Sequence, residues 1–319
     1  MGKSTLSRVD RMEKLSAYST WILLALMLIL NLIITPNFFS MGTVTNIITQ
    51  SCTIILTGMG MTMVISTGGI DISVGAVMAL SGMVSVKMLP YGIIPSIISG
   101  ILASLVFGLI AGFMVGKLRV SPMVVTLALL IGVRGVAQVL NDAKILYISG
   151  PNTDTYRLLG SYKIFGVFPV QLIPIFLAIG VTYFILEKTV LGRYIQTVGD
   201  NPHSAKLAGI STTKTLIFVY MASAFFAAVA GVFASAKIGA ADGNSLGLLA
   251  ELDAIAAVAV GGTSMAGGRA KVLGTVVGAL IMQLITITVN MNNIPYEYAQ
   301  VFKAIIIVLA VYIQREKTS

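Results

Sequence analysis

The sequence predicts an all-α polytopic membrane protein of about ten transmembrane helices. Apolar residues make up 56% of the 319 and charged residues only 10%, where a soluble domain carries roughly 25% charged. Mean hydropathy is +0.94. Apolar stretches recur from Trp21 to Ile313, most of them near the about 20 residues a helix needs to cross a hydrocarbon core. Helix is required because backbone polar groups in lipid must bond within their own segment.

The elements follow in order. Lys3, Arg8, Arg11 and Lys14 precede the first stretch, 20–35, which ends in Thr35-Pro36-Asn37 without an Ala-x-Ala cleavage site. It therefore reads as a spanning helix rather than a signal peptide, with 1–19 as a cytoplasmic segment. Spans 43–66, 71–88, 92–115 and 121–140 come next, joined by short turns. Residues 141–165 form a polar outer loop. Span 166–186 leads to a polar inner segment, 187–213, containing Gly, Pro and Asn. Spans 214–236, 250–262, 272–291 and 297–313 complete a single transmembrane domain covering 1–319, and an even count returns Gln314–Lys317 to the cytoplasm.

Charge tests this topology. Lys3, Arg8, Arg11, Lys14, Lys117, Arg119, Lys188, Arg193, Lys206, Lys214, Arg269, Lys271, Arg315 and Lys317 fall on the inner side. Lys87, Lys144, Arg157, Lys163 and Lys237 fall outside. A split of 14 against 5 is the positive-inside pattern. The net charge of +9 is thus accounted for by topology and does not point to nucleic acid. The single cysteine, Cys52, excludes an intrachain disulfide.

An internal repeat is visible. Val64-Ile65-Ser66-Thr67-Gly68-Gly69 closes one apolar run and Val258-Ala259-Val260-Gly261-Gly262 closes another, each followed by glycine-rich sequence and a further span. Gly-interrupted segments in matching halves point to a transport path. Gly108, Gly112 and Gly116 share one helix face, as do Gly274 and Gly278, which lets helices approach closely.

No catalytic constellation or metal-ligand cluster is present. Gly2-Lys3-Ser4-Thr5 lacks the upstream glycine and preceding strand of a phosphate loop, so no cofactor or nucleotide site is expected. Asp71, Arg134, Glu251, Asp253 and Lys303 lie in or beside apolar stretches, where charge is costly and tends to be functional. Asp71, Glu251 and Asp253 also stand at helix starts, where a carboxylate favours the N-terminus. Arg134 and Lys303 can pair with those carboxylates or meet a polar solute. The only Trp, Trp21, and Tyr296 and Tyr298 lie at interfaces, so a tight, aromatic-stacked sugar pocket within the chain is not expected.

Three longer motifs carry a resemblance. Gly68-Gly69-Ile70-Asp71-Ile72-Ser73-Val74-Gly75 resembles the signature of ribose-type (simple sugar) ABC-transporter permeases, departing by Ile72 for Leu. Glu251-Leu252-Asp253-Ala254-Ile255-Ala256 through Gly268-Arg269 resembles their second signature. Gly199-Asp200-Asn201-Pro202-His203-Ser204-Ala205-Lys206-Leu207-Ala208-Gly209-Ile210 resembles their cytoplasmic segment, with His203 and Ser204 as substitutions. Ala240-Ala241-Asp242-Gly243-Asn244 looks most like the galactofuranose-type members.

The resemblance implies a division of labour in a bacterial inner membrane. An extracytoplasmic binding protein captures a sugar, two permease chains form the path, and two ABC ATPase subunits dock below. It also implies that 187–213 is the coupling loop, with Gly199, Asn201, Pro202, Ala205, Ala208 and Gly209 at the ATPase contact. Asp71, Ser73, Arg134, Glu251, Asp253 and Lys303 are the candidates for the translocation path. The alternative is an ion-coupled secondary transporter using Asp71, Glu251 and Asp253, which has no reason to carry the inner motif. An intramembrane enzyme lacks a nucleophile–base set, and a passive channel lacks a repeated filter motif.

Overall fold

The computed structural model describes residues 20–314. The N-terminal segment and the tail from Arg315, both expected in the cytoplasm, lie outside the described residues. The chain forms α1 (Thr20–Ile34), α2 (Met41–Ser66), α3 (Val74–Met88), α4 (Ile93–Gly116), α5 (Pro122–Val139), α6 (Thr153–Ser161), α7 (Leu172–Tyr183), α8 (Val190–Asp200), α9 (Pro202–Leu207), α10 (Thr212–Ile238), α11 (Ala250–Val260), α12 (Val272–Met291) and α13 (Tyr296–Gln314). Two pairs of two-residue antiparallel strands tie loops together. β1 (Leu146–Tyr147) joins β4 (Ala240–Ala241), and β2 (Lys163–Ile164) joins β3 (Phe168–Pro169).

Each of the ten stretches read from the sequence contains a helix. Among the described residues, six helices are long and apolar enough to cross a membrane: α2, α3 with its 3-10 extension to Tyr91, α4, α5, α10 and α12. A seventh crossing results if α7 and α8, bent by 74° at Thr189, count as one span. The segment 187–213, expected as a polar loop, is mostly helical. Its α8 buries Gly192, Ile195 and Val198, a spacing of three that keeps one face of the helix inward.

α10 is the centre of the bundle and packs against α2, α3 and α4. The glycine face of α4 lies on it. A Cβ at Gly108 would stand 2.6 Å from Cβ of Ala224, and one at Gly112 would stand 2.5 Å from Cα of Ile217. The face therefore serves packing within the chain. α4 turns Ile98, Leu102, Val106 and Leu109 outward, each about half exposed. An apolar surface that continuous suits lipid and not water. The segment 141–165, expected as an outer loop, is partly ordered by α6, whose buried Tyr156 hydroxyl meets Ser235 Oγ at 2.9 Å.

Candidate functional site at the helix breaks

The span expected at 71–88 does not begin as helix. Residues 67–73 run without regular helix from the end of α2 into the bundle, and α3 starts only at Val74. Asp71, 3% exposed, organises this break. Its Oδ1 accepts from Ser73 N at 3.0 Å and Ser73 Oγ at 2.6 Å, and its Oδ2 accepts from Ser223 Oγ at 2.7 Å. Ser223 is the twelfth of the 27 residues of α10, so α3 starts at mid-depth. Asp71 is not the cap expected at this helix start, since the N-cap is Ser73 and no side chain caps the first turn; it holds Ser73 instead, and a long-range bond anchors it to the central helix. Charge-assisted bonds to three donors are what makes a buried carboxylate tolerable.

A second break mirrors the first. Residues 239–249, expected as an outer loop, fold back into the bundle, with Leu246 buried against Gly82. α11 then starts at Ala250 beside the first turn of α3. Gly75 has no room for a Cβ, because Gly247 O and Glu251 Oε2 occupy the space. The N-termini of α3 and α11 therefore meet inside the protein. Their positive dipole ends favour carboxylates there, and Asp71 and Glu251 supply them. Glu251 is 6% exposed and its Oε2 has no hydrogen-bond partner.

Arg134 of α5 serves this break. Its guanidinium donates to Leu246 O at 2.7 Å and Gly243 O at 3.3 Å. Those bonds hold a turn in which Leu249 takes a left-handed φ of 62°, a conformation that costs a side-chain residue roughly 1–2 kcal/mol. Outside the spans, Asp242 caps the same turn. Its slight burial raises the carboxyl pKa, but hydrogen bonds from Ser245 and Asn244 outweigh that and hold it below the ordinary value. On the other side of α11, Asp253 pairs with Lys303 of α13 at 2.8 and 3.0 Å. The path candidates thus separate into three sets: Asp71 with Ser73, Glu251 under the loop clamped by Arg134, and the Asp253–Lys303 pair.

The inner motif meets both glycine signatures. At Gly199, near the end of α8, a Cβ would collide with Ser66 O and stand 2.7 Å from Gly268 N. Gly268 N donates to Ser66 O at 3.1 Å, so the end of α2 is bonded to the glycine turn between α11 and α12 where α8 ends. Asn201 Oδ1 then caps α9 by accepting from His203 N and Ser204 N, and Pro202 takes the first helical position, which needs no N–H. Ala205 is fully buried and points into the protein. His203, Ser204, Lys206 and Leu207 form the outward face of α9, and Ala208 and Gly209, just past its end, are exposed too, so of the three small residues only Ala205 is turned inward. Sequence reasoning missed Ser223 and Tyr220. Their only signal was a polar group within an apolar run.

Long apolar helices, interrupted inside the bundle by glycine turns that hold carboxylates, define a multi-pass membrane permease. The family model described as "Branched-chain amino acid transport system / permease component" matches residues 43–311. The chain belongs to this family, and within it to the ribose-type sugar permeases of ABC transporters. It is 35% identical over 304 residues to the galactofuranose transporter permease protein of Escherichia coli (strain K12), covering 92% of this chain and 88% of that one. It is 36% identical over 311 residues to the ribose import permease protein of Bacillus subtilis (strain 168), covering 97% and 94%. It is 33% identical over 285 residues to the fructose import permease protein of Bifidobacterium longum (strain NCC 2705), covering 86% and 78%. No solved structure matches the chain.

Proposed function

We propose that the chain is the membrane-spanning subunit of an ATP-driven ABC importer for a monosaccharide. Similarity to permeases named for ribose, galactofuranose and fructose, over nearly the whole length, carries this reading. Two such chains form the path in the bacterial inner membrane, with both termini cytoplasmic and ten crossings built from an internal repeat. An extracytoplasmic binding protein delivers the sugar. ABC ATPase subunits dock on the exposed face of α9, and motion there reaches the pathway through Gly199. Asp71, Ser73, Arg134, Glu251, Asp253 and Lys303 border that pathway. The break at 67–73 supports the placement, because irregular backbone at membrane depth is tolerated where it is buried or lines a cavity.

The test is uptake by proteoliposomes. With ATPase and binding protein present, labelled monosaccharide should enter when ATP is supplied at the cytoplasmic face. The purified chain alone should neither bind nor hydrolyse ATP. Uptake driven by a proton or sodium gradient without the ATPase would replace this reading with the secondary transporter.

A further inference from the structure

A cavity of about 180 Å³ opens on the inner side, between the first glycine break, α9 and the starts of α5 and α10. Its wall contains Arg119 and Lys206 and no carboxylate. Both side chains are exposed, and neither has a hydrogen bond or ion pair among the described residues. Two long helices begin in the wall, α5 at Pro122 and α10 at Thr212. The α5 start has no side-chain cap. Helix N-termini present free N–H groups and positive potential. A further donor is buried in the wall: Tyr220 is fully buried, lines the cavity, and its hydroxyl has no partner. Two cations and two helix starts, with no carboxylate in the wall itself and Asp71 set behind the Tyr220 hydroxyl, form a site for an anion with several acceptor oxygens.

We infer that this cavity binds a phosphate group, held between Arg119 and Lys206 and reached by the Tyr220 hydroxyl. The group belongs either to a small soluble phosphomonoester or to a phospholipid headgroup. Arg119 sits in the turn joining α4 and α5, and Lys206 sits on α9. An occupied cavity therefore ties α9 to the transmembrane bundle. The binding is a property of the isolated chain and stands or falls independently of the transport assignment.

The experiment measures orthophosphate binding to the purified chain in phosphatidylcholine nanodiscs, by 31P NMR line broadening and by thermal shift. Saturable binding is expected, with displacement by sulfate. Arg119→Gln and Lys206→Gln should each weaken it about tenfold, as loss of one charge-assisted contact implies. Both side chains are exposed, so the variants should fold. Lys117→Gln, which removes a nearby charge outside the wall, should leave it unchanged. Two further titrations identify the source. If phosphatidylglycerol in the nanodisc suppresses orthophosphate binding, the ligand is a headgroup. If it does not, and a pentose phosphate binds more tightly than orthophosphate, the ligand is a soluble phosphoester. Absence of saturable binding, or an equal loss in Lys117→Gln, would overturn the site.

Discussion

Gly199→Ala is the smallest change that probes how the end of α8 meets the end of α2 and the turn between α11 and α12. The added methyl would collide with Ser66 O and press on Gly268 N, both of them backbone atoms that no rotamer change can move. Overpacking of this kind costs about 1–3 kcal/mol. Relief would part Gly268 N from Ser66 O, now 3.1 Å apart, and an unmade buried bond costs about another 1–3 kcal/mol. Against this, alanine gains up to about 1 kcal/mol of helix propensity over glycine, and less so near the end of α8. The net is a loss of roughly 1–5 kcal/mol, enough to lower the melting temperature visibly. Gly180→Ala in α7 is the control. It gains the same propensity and meets nothing within 4 Å, so it should be neutral or stabilising. Thermal unfolding in detergent and ATP-driven uptake in proteoliposomes measure the pair. Wild-type stability and uptake in Gly199→Ala would refute the argument that the three backbones are locked together there.

Ala208→Glu places a charge at the exposed end of α9. It should leave insertion and stability intact and abolish ATPase pull-down and uptake, so normal pull-down would remove α9 from the interface. Lys303→Met strands Asp253, whose side chain is 23% exposed. The cost should be about 1–3 kcal/mol, below that of a fully buried pair, and Lys303→Met with Asp253→Leu should recover most of it in a melting experiment. In a Cys52→Ala background, Thr155→Cys and His203→Cys, both exposed, should react with an impermeant thiol reagent from opposite sides of the membrane; labelling from one side would overturn the topology. Asp242 titrates below the ordinary carboxylate pKa in the folded protein. Its contribution is present above the unfolded value of about 3.9 and is lost as pH falls through the folded one. Asp242→Asn should lower stability slightly at neutral pH and flatten the acid limb of the pH–stability curve, the two proteins converging in acid.

Helical class and the order of the helices were legible because lipid imposes one demand on every crossing, a long run of apolar residues. The glycine faces of α4 and α12 were legible for a related reason. Close approach needs small side chains at a spacing of four, and Gly278 does press on Ala257 O of α11. Depth was not legible. In the sequence, residues 237–249 are only the gap between two expected spans, placed outside with Lys237. The bonds that draw them inward run from Arg134 and pack against Gly75 and Gly82, all more than 100 positions away. Asp71 read as a helix-start cap from its neighbours, whereas α3 is N-capped by Ser73 and Asp71 sits before it. Its bond to Ser223 spans 152 residues, and no local pattern encodes that. Ala205 and Ala208 looked equivalent as small residues. Only the seating of α9 on its neighbours distinguishes the buried one from the exposed one.

The contact of Ser66, Gly199 and Gly268 has a mechanical consequence. Side chains give compliance to most interfaces, since a rotamer can shift and absorb a displacement. Here peptide groups bear directly on one another, and a packed interior transmits strain. A shift of α8 along its axis leaves no slack to take up, so the segments after α2 and before α12 move together or not at all. The end of α2 and the start of α12 then share one degree of freedom at this contact, whatever force is applied at α9.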